Sequence, residues 1–341
     1  MREDKILRWL IESRNKIVKQ GDLETKSVAN VSVIQNWYKP PINEISVNPT
    51  LDSNEIAVIV CESLDRDKIG KNSILKIERR WIENNLANYE ILEALVYCFD
   101  FYAKIIFDAH NYLTNNKPNK CSYLSNFESE IKNIKNDFTL NKDNFLTTYL
   151  DINTLEQLNP KNFKIGLREK DFNNFEDNYD FLNEINFKRD KNSNLKEQAD
   201  FYFEFAKKIL SVDGFHIPTV ILGKKDASPK FLQLKLDGKR DTYLTIHKIA
   251  QIIEVENYES IIFIGEMWVA IPDDDKPELL PGEYTNKMEA LMICALNKDK
   301  EEYIYTNIFE RKNDEIVYGP KQIPQNNTAN FLNPIKDVWA K

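Results

Sequence analysis

Apolar residues recur three and four positions apart along much of the first third of the chain, the spacing that lays one side of an α-helix against a core. Between Lys5 and Gln20 they are Leu7, Leu10, Ile11 and Val18, and Gly21 stands where a left-handed cap would end the helix. From Glu83 to Leu113 the run Leu92, Val96, Phe99, Ala103, Ile106, His110 and Leu113 predicts a long helix, with the first helix as its simplest partner. Between the two the period changes. In SVANVSVI, Ser27 to Ile34, Ala29, Val31 and Val33 face one way and Asn30 and Ser32 the other, the pattern of a half-buried strand. The run IAVIVC, ending at Cys61, fits a strand or a buried helix equally well by periodicity.

From Phe127 to Asn194 short aromatic-containing pieces alternate with Asn, Asp and Lys and are interrupted by Pro160, which predicts a connecting region with short helices. Regularity returns at Asn194. Leu195, Ala199, Tyr202, Ala206 and Ile209 predict a helix that Asp213-Gly214 ends. Two strands, Ile217 to Gly223 and Phe231 to Asp237, flank the turn-rich KKDASPK, and a helix over Asp241 to Glu254 comes next. A strand over Ser260 to Ile271 leads through the acidic loop PDDDKPELLPGEY to strands near Glu289 to Leu296, Tyr303 to Glu310 and Ile316 to Tyr318. In the tail, Phe331 and Trp339 are large enough to dock it onto a domain. The expected class is therefore α+β: a helix-rich N-terminal domain with a short strand element over residues 1–125, an irregular connecting region over 126–193, and a C-terminal domain over 194–341 in which helices pack on one face of a mixed or antiparallel sheet.

Composition narrows the function classes. A hydrophobic share of 42% with a charged share of 29% is that of a soluble globular protein. A net charge of −8 argues against a protein that coats nucleic acid or an anionic membrane through its overall field. No run approaches the roughly 20 apolar residues of a membrane span, and the opening MREDKILRWLIESRNK lacks the apolar stretch of a secretory signal. Cys61, Cys98, Cys121 and Cys294 show neither CxxC nor Cys/His ligand spacing, so free thiols in a reducing, cytoplasmic setting are expected.

Candidate chemistry starts in IIFIGEMWVAI, Ile261 to Ile271, where Glu266 interrupts an otherwise apolar strand. Strand alternation puts Ile262, Ile264, Glu266 and Trp268 on one face, and an acid beside an indole has its pKa raised unless a cation or hydrogen-bond donors compensate. That is how general acids are made. The structural reading gives Glu266 a paired role at the sheet edge, with Lys287 or Lys235 as partner. Glu289, opening the strand MEALMICAL, is the natural second acid if the two strands are neighbours, and two such carboxylates could divide acid and base roles or hold a divalent cation.

In FLQLKLD, Leu232, Leu234 and Leu236 point to the core and Phe231, Gln233 and Lys235 away from it. With Asp213 upstream and the order helix, strand, strand, helix, strand, the stretch Asn194 to Ile271 resembles the PD-(D/E)xK nuclease arrangement. The resemblance implies metal-assisted activation of water, with roles for Asp213, Gln233 and Lys235. Gln233 stands where that family carries a carboxylate, which weakens the hold on a hard cation. Arg14-Asn15 similarly resembles the start of the R-x(4 to 6)-H motif of HEPN ribonucleases. Lys19 stands where a histidine could follow, and no histidine occurs before His110. Arg14 and His110 both fall on apolar stripes, so a ligand-binding pair across the helix seam is one expectation and satisfied core residues the other. PDDDKPE lacks the spacing and glycine of an EF-hand, and His216 and His247 have no partner at metal spacing.

Two readings result. The first is a cytoplasmic two-domain protein that interacts with or regulates a protein partner, without catalysis, cofactor or membrane. The second is a metal-dependent nuclease or phosphodiesterase acting on nucleic acid through Glu266, Glu289 and Lys235, with Mg²⁺ or Mn²⁺ held by Asp213 and Glu266.

Overall fold

The fold is taken from a computed structural model that describes residues 4–20, 25–35, 42–65, 69–113, 126–136, 146–158, 194–271, 281–323 and 329–340, a few isolated positions excepted. Most of the predicted connecting region and the acidic stretch Asp273 to Glu278 lie outside these residues. The chain divides into two compact units, residues 1–159 and 160–341.

The first unit opens with α1 (Lys5–Gln20), as its periodicity predicts. Asp4 caps it, accepting from the N–H groups of Ile6 and Leu7, and Tyr97 donates to the other Asp4 oxygen at 2.6 Å. β1 (Thr25–Ile34), β2 (Asn43–Val47), β3 (Ile74–Glu83) and β4 (Thr147–Asp151) form an antiparallel sheet in the order β2-β1-β3-β4. The ambiguous run IAVIVC is helical: α2 (Ser53–Ser63) starts from a capping box in which Asp52 and Glu55 bind each other's backbone N–H. Its Ile56, Ala57 and Cys61 pack on Ala29, Val31, Leu75, Ile77 and Leu150 of the sheet. The helix expected from Glu83 begins later, as α3 (Ile91–Leu113). Glu83 instead ends β3, whose alternation ILKIERRWIE carries Leu75 and Ile77 into the core. β4 falls inside the stretch read as connecting region, and its register with β3, Ile74 opposite Asp151, makes it an edge of this sheet.

The second unit is a six-stranded antiparallel sheet, ordered β10-β9-β8-β7-β5-β6. Its strands are β5 (Thr219–Gly223), β6 (Lys230–Gln233), β7 (Ser260–Val269), β8 (Met288–Asn297), β9 (Glu302–Lys312) and β10 (Glu315–Gln322). The α+β class is as expected, and the helical cover extends to both faces. On one, α4 (Leu195–Asp213) lays Ala199, Phe203, Ala206 and Leu210 against Ile221, Ile262, Ile264, Ile293 and Tyr305. On the other, α5 (Lys239–Glu256) and the tail helix α6 (Asn333–Trp339) cover Val220, Leu222, Ile261, Phe263, Cys294 and Leu296. Uninterrupted apolar runs such as IIFI are the mark of strands buried on both sides. The tail docks as predicted, with Phe331 edge-on to Phe263 and Trp339 donating to the Tyr258 carbonyl at 3.0 Å.

Both ends of α4 are fixed by local sequence. Asn194 and Glu197 form a capping box at its start. At its end Gly214 adopts φ 74° and returns its N–H to the Leu210 carbonyl, a turn that favours glycine and directs the chain back toward β5.

Candidate functional site

Register decides whether the two acids meet. β7 and β8 are neighbours, with Glu266 opposite Leu291 and Trp268 opposite Glu289, so Glu266 and Glu289 lie two positions apart on the face that α4 covers. Glu289 is in turn opposite Phe309 of β9, and two residues further along the same face is Arg311.

Arg311 closes the constellation. Its Nε and one terminal nitrogen donate to the two oxygens of Glu289 at 2.9 and 3.2 Å, and the same terminal nitrogen donates to Glu266 at 3.0 Å. The other terminal nitrogen donates to the Gly214 carbonyl at the end of α4. The second oxygen of Glu266 accepts the backbone N–H of His216 at 2.5 Å. One guanidinium thus satisfies two carboxylates and a helix-terminal carbonyl, a use of its planar fork that a lysine could not reproduce. The hydrogen bond to Glu289, then the charges of both acids, hold the Arg311 pKa above its ordinary value. The side chains are partly buried, with 39% exposure for Arg311, 24% for Glu266 and 28% for Glu289.

The cations expected beside Glu266 are elsewhere. Lys287 lies with its ammonium 4.7 Å from the Trp268 ring centre and donates to the Gly282 carbonyl. Lys235 is exposed, two residues beyond the end of β6. Asp213 is exposed in the last turn of α4, Gln233 is half-buried at the end of β6, and among the described residues no group of three or more His, Cys, Asp or Glu side chains is arranged to hold a metal ion. His216 is buried, and its Nδ1 has no hydrogen-bond partner. Burial holds its pKa down, to about 4, against a weaker pull upward from Asp213.

In the first unit Arg14 points to solvent. Of the expected α1 stripe, Leu7 is buried and Leu10 packs against the same core, but Ile11 and Val18 are exposed. Ile6, Trp9 and Ser13 bury beside Leu7, where Trp9 donates to the fully buried Glu83 at 3.0 Å and Lys16 reaches the same carboxylate at 3.4 Å. His110 is half-buried on α3, with Ile106 and Leu113 beside it exposed, so the predicted seam through these residues does not form against α1. Glu83 and Arg311 are the polar residues that sequence reasoning missed. Alternation in β9, Tyr303, Tyr305, Asn307, Phe309, Arg311, was a signal for the second, lost by ending that strand at Glu310.

The family described as Bacteriophage lambda protein ea47 matches residues 1–341. The chain belongs to that family. Protein ea47 of Escherichia phage lambda is similar to it at 25% identity over 346 residues, covering 94% of this chain and 80% of that protein. No solved structure matches the chain. Among the described residues of this ea47-family protein no helix is long and apolar enough to cross a membrane.

Proposed function

We propose that this member of the ea47 family is a non-catalytic interaction or regulatory protein of the cytoplasm, and that its first unit binds a protein partner through α3. The observation that carries the reading is the outer side of that helix. Leu95, Phe99, Tyr102, Ile106 and Leu113 follow one another three, four or seven residues apart, and all are exposed, Leu113 at 79%. Contiguous apolar surface rimmed by polar residues marks protein interaction sites, and anchors at this spacing are those a helix offers to a groove. The acids of the second unit support the non-catalytic part of the reading, since Arg311 already occupies the oxygens that a metal or substrate would need. The free, buried thiols Cys98 and Cys294 fit a reducing compartment.

The test places a photo-reactive amino acid at Ile106 or Leu113, with Lys104 as the control on the helix's other side, in cells producing the full chain. Adducts of one defined mass from Ile106 and Leu113, lost when Phe99 is replaced by Lys, are expected. No adduct from either position, together with metal-dependent cleavage of nucleic acid by the purified protein, would overturn the reading.

A further inference from the structure

We propose that the segment Gly214–Ile217, between α4 and β5, is an acid-sensitive latch that protonation of His216 releases from the sheet. The segment is held at two adjacent points by one charged group and its partner. The Gly214 carbonyl accepts from Arg311, and the His216 N–H donates to the Glu266 oxygen that Arg311 leaves open. His216 faces inward, 8% exposed, while Phe215 and Ile217 on either side face solvent.

The imidazole is therefore carried into the interior by backbone bonds at and beside it, and its Nδ1 arrives there without an acceptor. A second ring proton would be a buried donor with nowhere to go, on a ring bearing a full charge. The charged groups around it are Asp213 at the end of α4, Glu266 from β7, and, one hydrogen bond further out, Arg311 from β9 and Glu289 from β8. Asp213, exposed at the end of α4, offsets only part of the cost of the charge, and the Glu266 oxygen on this side already accepts the His216 backbone N–H while its other oxygen is engaged by Arg311. The depressed pKa of His216 agrees with this geometry. Opening the segment hydrates the ring and restores its ordinary proton affinity, so acid favours the open form. With His216 titrating near 6.5 when open and about 4 when closed, the opening constant rises about 20-fold between pH 7 and pH 5.

The experiment is hydrogen exchange of the full chain at both pH values, corrected for intrinsic rates, read on the peptide covering residues 213–219, with the His216 ring titration followed by NMR. Wild type is expected to lose about 20-fold protection there and His216→Gln very little, while Glu266→Gln exchanges fast at both pH values. The wild-type ring should titrate well below 6.5 whether or not the variants fold. A His216 that titrates near 6.5 in the folded protein, or an equal loss of protection in His216→Gln, would assign the effect to other groups and overturn the latch.

Discussion

Replacing Arg311 by Met keeps most of the side-chain length and removes the charge that joins three strands to the end of α4. Two ion pairs and one charge-assisted bond to the Gly214 carbonyl disappear together. An exposed pair contributes about 0.2–1 kcal/mol, and breaking a buried one costs about 3–5 kcal/mol. Partners exposed by 24–39% lie between those limits, closer to the first. Adding the orphaned carbonyl and the mutual repulsion of Glu266 and Glu289 gives a loss of about 2–3 kcal/mol. For a unit of this size that is a fall of roughly 5–10 °C in its melting temperature, measured by calorimetry as the transition of residues 160–341. Replacing Glu289 by Gln in the Arg311→Met background relieves the repulsion, so the double variant should melt above the single one. A loss below about 0.5 kcal/mol for Arg311→Met, or a double variant that melts lower still, would mean that Arg311 is not the tie between these strands.

Other substitutions test the remaining polar ties. Glu83→Gln leaves the volume intact but weakens the bonds from Trp9 and Lys16, and should destabilise the first unit by about 1–3 kcal/mol in urea titration; no change would mean that the α1 anchor lies elsewhere. Gly214→Ala places a Cβ at φ 74°, where nothing lies within 4 Å of it, so the cost is backbone strain alone, about 1 kcal/mol, and Gly214→Asn should cost less. Cys294 is buried under α5 and α6, and burial pushes its thiol pKa up, so Ellman's reagent should modify it only as fast as the second unit opens; rapid labelling in native buffer would contradict that burial.

Much of the second unit was legible because its sequence is locally consistent. The Asn194 and Glu197 pair, the Asp213-Gly214 stop and the apolar runs of β5 and β7 each specify the element observed. The double-sided cover was legible too in principle, since Ile261 to Ile264 has no polar alternate, but periodicity does not say which helices supply the cover. In the first unit β3 was hidden by its charges: Glu78, Arg79 and Arg80 obscure its alternation, and Glu83, taken as the start of the following helix, ends the strand buried against Trp9. The α1 stripe held at Leu7 and Leu10 and failed at Ile11 and Val18, because an indole–carboxylate bond spanning 74 residues turns Trp9 inward in a way that the local apolar pattern does not specify. At the candidate site the acids and their face were readable. Their partner was not, because Arg311 comes from a third strand and register is set by pairing rather than by local sequence.

Incubating wild type and Glu266→Gln with plasmid DNA and total RNA in Mg²⁺ or Mn²⁺, and recording the melting temperature of each, separates a structural acid from a catalytic one. No cleavage by wild type and a lower melting temperature for the variant are expected of an acid that ties His216 and Arg311 together. Metal-dependent cleavage that disappears in a variant melting at the wild-type temperature would contradict the non-catalytic reading and make Glu266 a catalytic residue.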